Sequence, residues 1–143
     1  MKTVGDILRD KGHDVWSTPS DATVLEALKV MAEKNAGALL VMDGNRLVGI
    51  FSERDYARKL VLKGKNSPET PVVEVMTAEV VSVNPGQSVV ECMAIMTARR
   101  VRHLPVVEEG QLSGVISIGD VVRAVIGDHE QTIQQLETYI RGR

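Results

Sequence analysis

Residues 49–55 read GIFSERD and residues 114–120 read GVISIGD. Each stretch opens on a glycine, runs through two apolar residues to a serine, and has an aspartate three residues beyond that serine. An apolar run ending at Ser-x-x-Asp reads as a buried strand turning into a helix start. The chain writes one strand-to-helix corner twice.

The register extends far beyond the corner. With Ser52 set on Ser117, an offset of 65 residues pairs Glu26 with Glu91, Met31 with Met96 and Leu39 with Leu104. It also pairs Val41 with Val106, Leu47 with Leu112 and Arg58 with Arg123. Pro19 and Pro85 match at one residue more, and GDIL (5–8) falls over VEVM (73–76). Self-similarity of this length marks a duplicated supersecondary unit whose copies bury a core together. The expected copies are 1–62 and 72–127, joined by a polar, proline-bearing linker at 63–71 and followed by a helix over 128–143.

Each copy carries the same local signals. A short strand (Val15–Ser17; Val80–Val83) leads to a proline, which cannot extend a ladder. An amphipathic helix follows, with Val24, Leu25, Ala27, Leu28, Met31 and Ala32 at helical spacing, and then Val89, Val90, Met93, Ala94 and Met96. Thr23 with Glu26 and Ser88 with Glu91 are Ser/Thr-x-x-Glu capping boxes. Hairpins are expected around Asp43-Gly44-Asn45 and Glu109-Gly110. A second helix closes each copy, with Gly64 and Gly127 as C-terminal stops. In the tail, Ile133, Leu136 and Ile140 predict a further helix docked on the module or on a partner subunit. The fold class is therefore α+β, two β-α-β-β-α units packed about a pseudo-twofold axis, with an extra C-terminal helix.

Composition narrows the function. The net charge of −2 and an aromatic fraction of 3% argue against a nucleic-acid role. Cys92 is the single cysteine, which excludes an internal disulfide and a thiol cluster for zinc. Charges interrupt the first residues, no apolar run approaches the roughly 20 residues that span a bilayer, and a cytoplasmic protein is expected. No Walker-type lysine loop or nucleophile–base pair recurs with the repeat, so catalysis is not expected.

Ser-x-x-Asp has two readings. As a cap, the serine oxygen accepts a backbone N–H and the aspartate complements the helix dipole. As a site, the same helix start suits a phosphate, and a carboxylate one turn in can accept both hydroxyls of a ribose. Gly49 and Gly114 would let a second backbone, or a flat base, come close.

The motif Gly-hydrophobic-x-Ser-x-x-Asp in two tandem copies, the second after LPVV (104–107), resembles a pair of CBS (cystathionine β-synthase) domains, a Bateman module. SERDYARKLVLKGK (52–65) and RHLPVVEEGQLSGVISIGDVVRAVI (102–126) resemble the small stand-alone proteins of that family. The resemblance implies clefts for AMP, ATP, NAD(H) or S-adenosylmethionine, homodimers shaped as a flat disc, and no catalytic domain. Carried over residue by residue, one cleft has Asp120 on the ribose, Ser117 and the Gly119 backbone on phosphate, and adenine against Ala36, Gly37 and Ala38. The other has Asp55 and Ser52 in those roles, with Val101, Arg102 and His103 opposite and Thr77 nearby. The residue before the aspartate is often Ser or Thr in the family, but here it is Arg54 or Gly119, and Arg54 would either clamp a phosphate or fill the cleft. Arg99 and Arg100 read as a solvated helix end, Trp16 as packing surface, Cys92 as inert core, and His13 as a neighbour of the first cleft.

The expected function is a regulatory module that binds an adenine nucleotide, AMP or NAD(H) before ATP or S-adenosylmethionine. It would sense energy or redox state and modulate a partner protein through its dimer. The alternatives are a ligand-free interaction scaffold, in which the corners are only caps, and a nucleotide-processing enzyme.

Overall fold

A computed structural model describes residues 2–141, with the side chains of α5 described as far as Gly127 and at Glu130 and Gln134. The elements run α1 (Val4–Lys11), β1 (Ser17–Pro19), α2 (Val24–Lys34), β2 (Ala38–Asp43), β3 (Arg46–Ser52), α3 (Glu53–Asp55), α4 (Val89–Arg99), β4 (His103–Glu108), β5 (Gln111–Ser117) and α5 (Ile118–Arg141). A π-helical stretch, Tyr56–Val61, prolongs α3, and a 3₁₀ turn spans Val72–Glu74.

Local chemistry explains most of these boundaries. Thr23 Oγ1 accepts the Glu26 N–H while Glu26 receives the Thr23 N–H, which closes a full capping box on α2. On α4 the box is half made: Ser88 Oγ accepts the Glu91 N–H, and the reciprocal backbone bond is absent. The hairpins turn where expected, Gly44 at φ +63°, and Glu109 and Gly110 at +52° and +75°, the paired left-handed conformation of a tight turn. Both hairpins carry a bulge at the same place, after Val41 and after Val106. A duplicated irregularity of this kind is a designed bend of the strand.

The expected strands before the prolines fare differently. β1 is short and pairs parallel with β2, Thr18 opposite Val41. Around Val83 the second copy forms only an isolated bridge to Val106, so β4 and β5 stand as a two-stranded sheet. Gly127 is not a stop, because α5 continues through it to Arg141. Glycine inside a helix costs only about 1 kcal/mol relative to alanine, and the residues on either side propagate the helix. Gly64, at φ +70°, does end the first copy's second helix. The side chains at 133, 136 and 140 lie outside the described residues.

The chain packs into two compact units that are not the two sequence copies. One unit is Val15–Val80, and the other joins the N-terminal segment up to Asp14 to everything from Val81 onward. The segment that leads into each copy is therefore packed with the other copy. The contacts are the same in both units. Thr70 O accepts the Val24 N–H at 2.8 Å, and Lys2 O accepts the Val89 N–H at 3.0 Å, each satisfying a helix-start donor that has no partner within the helix. Met76 and the Thr77 carbonyl lie on Gly49, and Leu8 lies on Gly114.

Each unit has its own core, made from matching positions. Val24, Ala27, Met31, Leu39, Val41 and Phe51 recur as Val89, Cys92, Met96, Leu104, Val106 and Ile116, joined by Val72 and Val75 in one unit and by Val4 and Ile7 in the other. The amphipathic helices bury one narrow stripe each, and Val90 and Met93 remain exposed.

The close approach at the two glycines predicts unequal costs. An alanine Cβ at position 49 would overlap Met76 Sδ and come within 2.9 Å of the Thr77 carbonyl, which is backbone. At position 114 it would meet only the tip of Leu8, at 2.8 Å. Gly49→Ala is expected to destabilise by about 1–3 kcal/mol and Gly114→Ala by less, as overpacking does when the neighbour can yield. Urea denaturation of both variants checks the order.

Candidate functional site

Both corners form as the sequence predicts. At the first, the Ser52 N–H donates to Asp55 Oδ2 at 3.0 Å, Ser52 Oγ donates to the same oxygen at 3.1 Å, and the Asp55 N–H donates to Ser52 Oγ at 3.2 Å. At the second, the Ser117 N–H donates to Asp120 Oδ2 at 2.8 Å and the Asp120 N–H to Ser117 Oγ at 3.2 Å. The cap reading is thus geometrically real at both places. It is also present a third time, where the Thr3 N–H donates to Asp6 Oδ2 at 2.9 Å at the start of α1, a cap not singled out from the sequence.

Burial separates the two corners from that ordinary cap, since Asp6 also has a cation beside it, Arg9 three residues on. Asp55 and Asp120 are 7% and 8% exposed, whereas Asp6 is only half-buried. A buried carboxylate stays charged only when cations or donors compensate it. Asp55 Oδ1 takes the Thr77 hydroxyl at 3.1 Å and Lys59 Nζ at 3.2 Å. Asp120 takes Lys11 Nζ at 2.8 Å on Oδ2 and Arg123 Nη2 at 2.7 Å on Oδ1. Lys59 and Arg123 follow their aspartates by four and three residues, a helical pairing readable in the sequence but not singled out there. Lys11 had no local signal, since it lies 109 residues from its partner.

The other candidate residues fall into place by unit. Ser52, Arg54, Asp55 and Thr77 share a unit with Ala36, Gly37 and Ala38. The Gly37 carbonyl accepts the Glu53 N–H at 3.1 Å, which ties that small-residue turn to the corner. Ser117, Gly119 and Asp120 share the other unit with Val101, Arg102 and His103, and the Arg102 carbonyl accepts the Ile118 N–H at 2.8 Å in the matching bond. The structure therefore brings each corner together with the turn of its own unit. The clefts expected from the sequence combine each corner with the turn of the other unit, an expectation on which these bonds within units do not bear. Arg54 and Arg102 are exposed. The chain itself occupies the close approach at Gly49 and Gly114 that a flat base was considered for.

The remaining singled-out residues have structural roles. Arg99 ends α4, and Arg100 adopts the left-handed cap at φ +55°. Lys34 Nζ lies 4.7 Å from the centre of the Trp16 ring, a cation–π contact. His13 Nδ1 is 2.8 Å from the Ser113 carbonyl. Cys92 is fully buried, and burial, helped by Glu91, pushes its thiol up to about 11, so it is inert.

Burial by itself would raise the Asp120 carboxyl. The Lys11 ammonium and the Ser117 backbone and hydroxyl groups outweigh it and hold the carboxyl below its ordinary value of 3.8. A carboxyl depressed in the folded state stabilises the fold above that ordinary value, and the contribution is lost as pH falls through the folded value. Asp120→Asn removes this titration. Its unfolding free energy is expected to fall less steeply than the parent's between about pH 5 and pH 3, as followed by urea titration at each pH.

With this geometry in hand, comparison with known proteins gives the relationship. The CBS domain model matches residues 4–62 and 72–127. A protein with CBS domains from Burkholderia ambifaria is 52% identical, superimposes with a TM-score of 0.85, and covers 89% of this chain and 96% of its own. The mitochondrial CBS domain-containing protein CBSX3 of Arabidopsis thaliana is 40% identical over 98% of this chain and 72% of its own length. The CBS domain pair of protein MJ0100, solved with 5′-methylthioadenosine and S-adenosyl-L-methionine, is 25% identical with a TM-score of 0.77, over 90% of this chain and 98% of its own. The chain belongs to the CBS domain family and carries two CBS domains, one for each copy of the corner that its sequence writes twice.

Proposed function

We propose that this CBS pair is a regulatory module that binds an adenosine-containing ligand at its Ser-x-x-Asp corners, with AMP or NAD(H) preferred and ATP or S-adenosylmethionine as further candidates. The observation that carries the reading is the burial of two charge-paired aspartates at helix starts, Asp55 and Asp120, where the equally charge-paired cap Asp6 stays half exposed. An oriented, buried carboxylate is what a ribose diol requires. The adenosine ligands of the MJ0100 pair support the same ligand class. The module acts by binding without turnover. Ligand bound more tightly to one arrangement of the protein shifts the population of that arrangement, and so a partner's activity. It works in the cytoplasm.

The assembled form is a homodimer. Ile118, Val122 and Ile126 recur every fourth residue along α5 and are exposed, as are Val90 and Met93 of α4 in the same unit. An apolar surface of this kind on a small protein suits an interaction partner, here a second copy. Val122→Glu is expected to shift the protein to monomer in light scattering, while a dimer that survives it would assign the interface elsewhere.

A second reading is favoured by the completeness of the caps. If the aspartates serve only α3 and α5, the chain is a scaffold without ligand. Isothermal titration with AMP, ATP, NAD+, NADH and S-adenosylmethionine decides between the readings when repeated on Asp120→Ala and Asp55→Ala. The sensor gives micromolar binding, about −8 kcal/mol, that is lost in one or both variants. A scaffold gives no heat with any of the five, and its variants differ from the parent only in stability.

A further inference from the structure

The two copies end differently. In the first, the helical stretch after the corner stops at Gly64, whose φ is +70°. Where the first copy reads Leu62-Lys63, the second reads Gly127-Asp128, and its helix runs on unbroken to Arg141. The early stop leaves large apolar side chains in solvent, Val61 at 52% exposed and Leu62 at 77%. The same stretch holds Arg54, Arg58 and Lys63, all exposed, and none of them meets a carboxylate among the described residues. Lys59, by contrast, is taken by Asp55. Exposed apolar side chains ringed by uncompensated cations suit an acidic amphipathic helix.

The prolonged end of α5 has the complementary sequence. Residues 128–140 contain Asp128, Glu130 and Glu137 and no lysine or arginine. Ile133, Leu136 and Ile140 fall among them at helical spacing. At 1.5 Å per residue, the helix carries this stretch about 20 Å beyond Gly127. Earlier on the same helix, Ile118, Val122 and Ile126 are exposed and form the face assigned above to a second copy. A copy that covers those residues stands beside the start of the acidic stretch, because the helix between them has no break.

Resting on the homodimer proposed above, we propose that residues 128–141 of one protomer lie across the surface of residues 54–63 of its partner. The carboxylates meet Arg54, Arg58 and Lys63, and the apolar positions of the tail cover Val61 and Leu62. Twofold symmetry makes the contact twice, each tail serving the first repeat of the other copy. The stop at Gly64 and the extension past Gly127 are then two halves of one interface.

The test is sedimentation velocity on the full chain, near the concentration at which the parent dimer half dissociates. One variant reverses the surface, Arg58→Glu with Lys63→Glu, and another reverses the tail, Glu130→Lys with Glu137→Lys. Each alone sets like charges against each other at both contacts and is expected to weaken the dimer about tenfold. An equimolar mixture of the two variants restores opposite charges at both contacts, so it should recover dimer as a heterodimer. That recovery also shows that neither variant is misfolded. If neither variant weakens the dimer, or if both do and their mixture stays monomeric, the tail contact is overturned while the homodimer stands. A parent that is monomeric at every concentration overturns both.

Discussion

The structure depends on how the segment leading into each repeat lies across a glycine in the second strand of a hairpin. Leu8 lies on Gly114, and Met76 with the Thr77 carbonyl lies on Gly49. The same segments supply the carbonyls of Lys2 and Thr70 that satisfy the first N–H groups of α4 and α2. Val4 and Ile7 complete one core, and Val72 and Val75 complete the other. A strand without Cβ at this position is what allows a further layer to be laid on each hairpin. Because each segment is packed with the copy it does not precede in sequence, neither copy contains the residues that finish its own core.

That arrangement also delivers the charges at the corners. Thr77 reaches Asp55 from the segment laid over Gly49, and Lys11 reaches Asp120 from α1. Two carboxylates in matching backbone settings thus acquire different partners, a hydroxyl and Lys59 in one case, Lys11 and Arg123 in the other. The corner is a cap by its backbone bonds, and Thr3 with Asp6 repeats those bonds at an ordinary helix start. What sets Asp55 and Asp120 apart is burial, since Asp6 has a cation beside it as well and stays half exposed.

Much of this was legible in the residues. The hairpins turn at Gly44 and at Glu109-Gly110, α2 begins at Thr23, α4 at Ser88, and Gly64 ends a helix, because each depends on chemistry within a few residues. The register of GDIL over VEVM is also met in space, since Leu8 and Met76 occupy matching positions on matching glycines. The strand expected over Val80–Val83 reduces to a bridge because strand pairing depends on the neighbour available, here only Val106. Gly127 was misread as a stop because glycine's helix cost is small beside the propagation of a long helix.

The sequence by itself determined the duplication, the order and type of the elements, and the two Ser-x-x-Asp corners, all of which follow from short-range periodicity, turn chemistry and caps. Only the tertiary structure decided which copy each leading segment packs with, and therefore that Lys11 stands beside Asp120 and Thr77 beside Asp55. A repeat makes two positions equivalent, and both ways of pairing them satisfy the same local rules. The choice between them rests on contacts such as Lys11 with Asp120, across 109 residues, which leave no mark in local sequence.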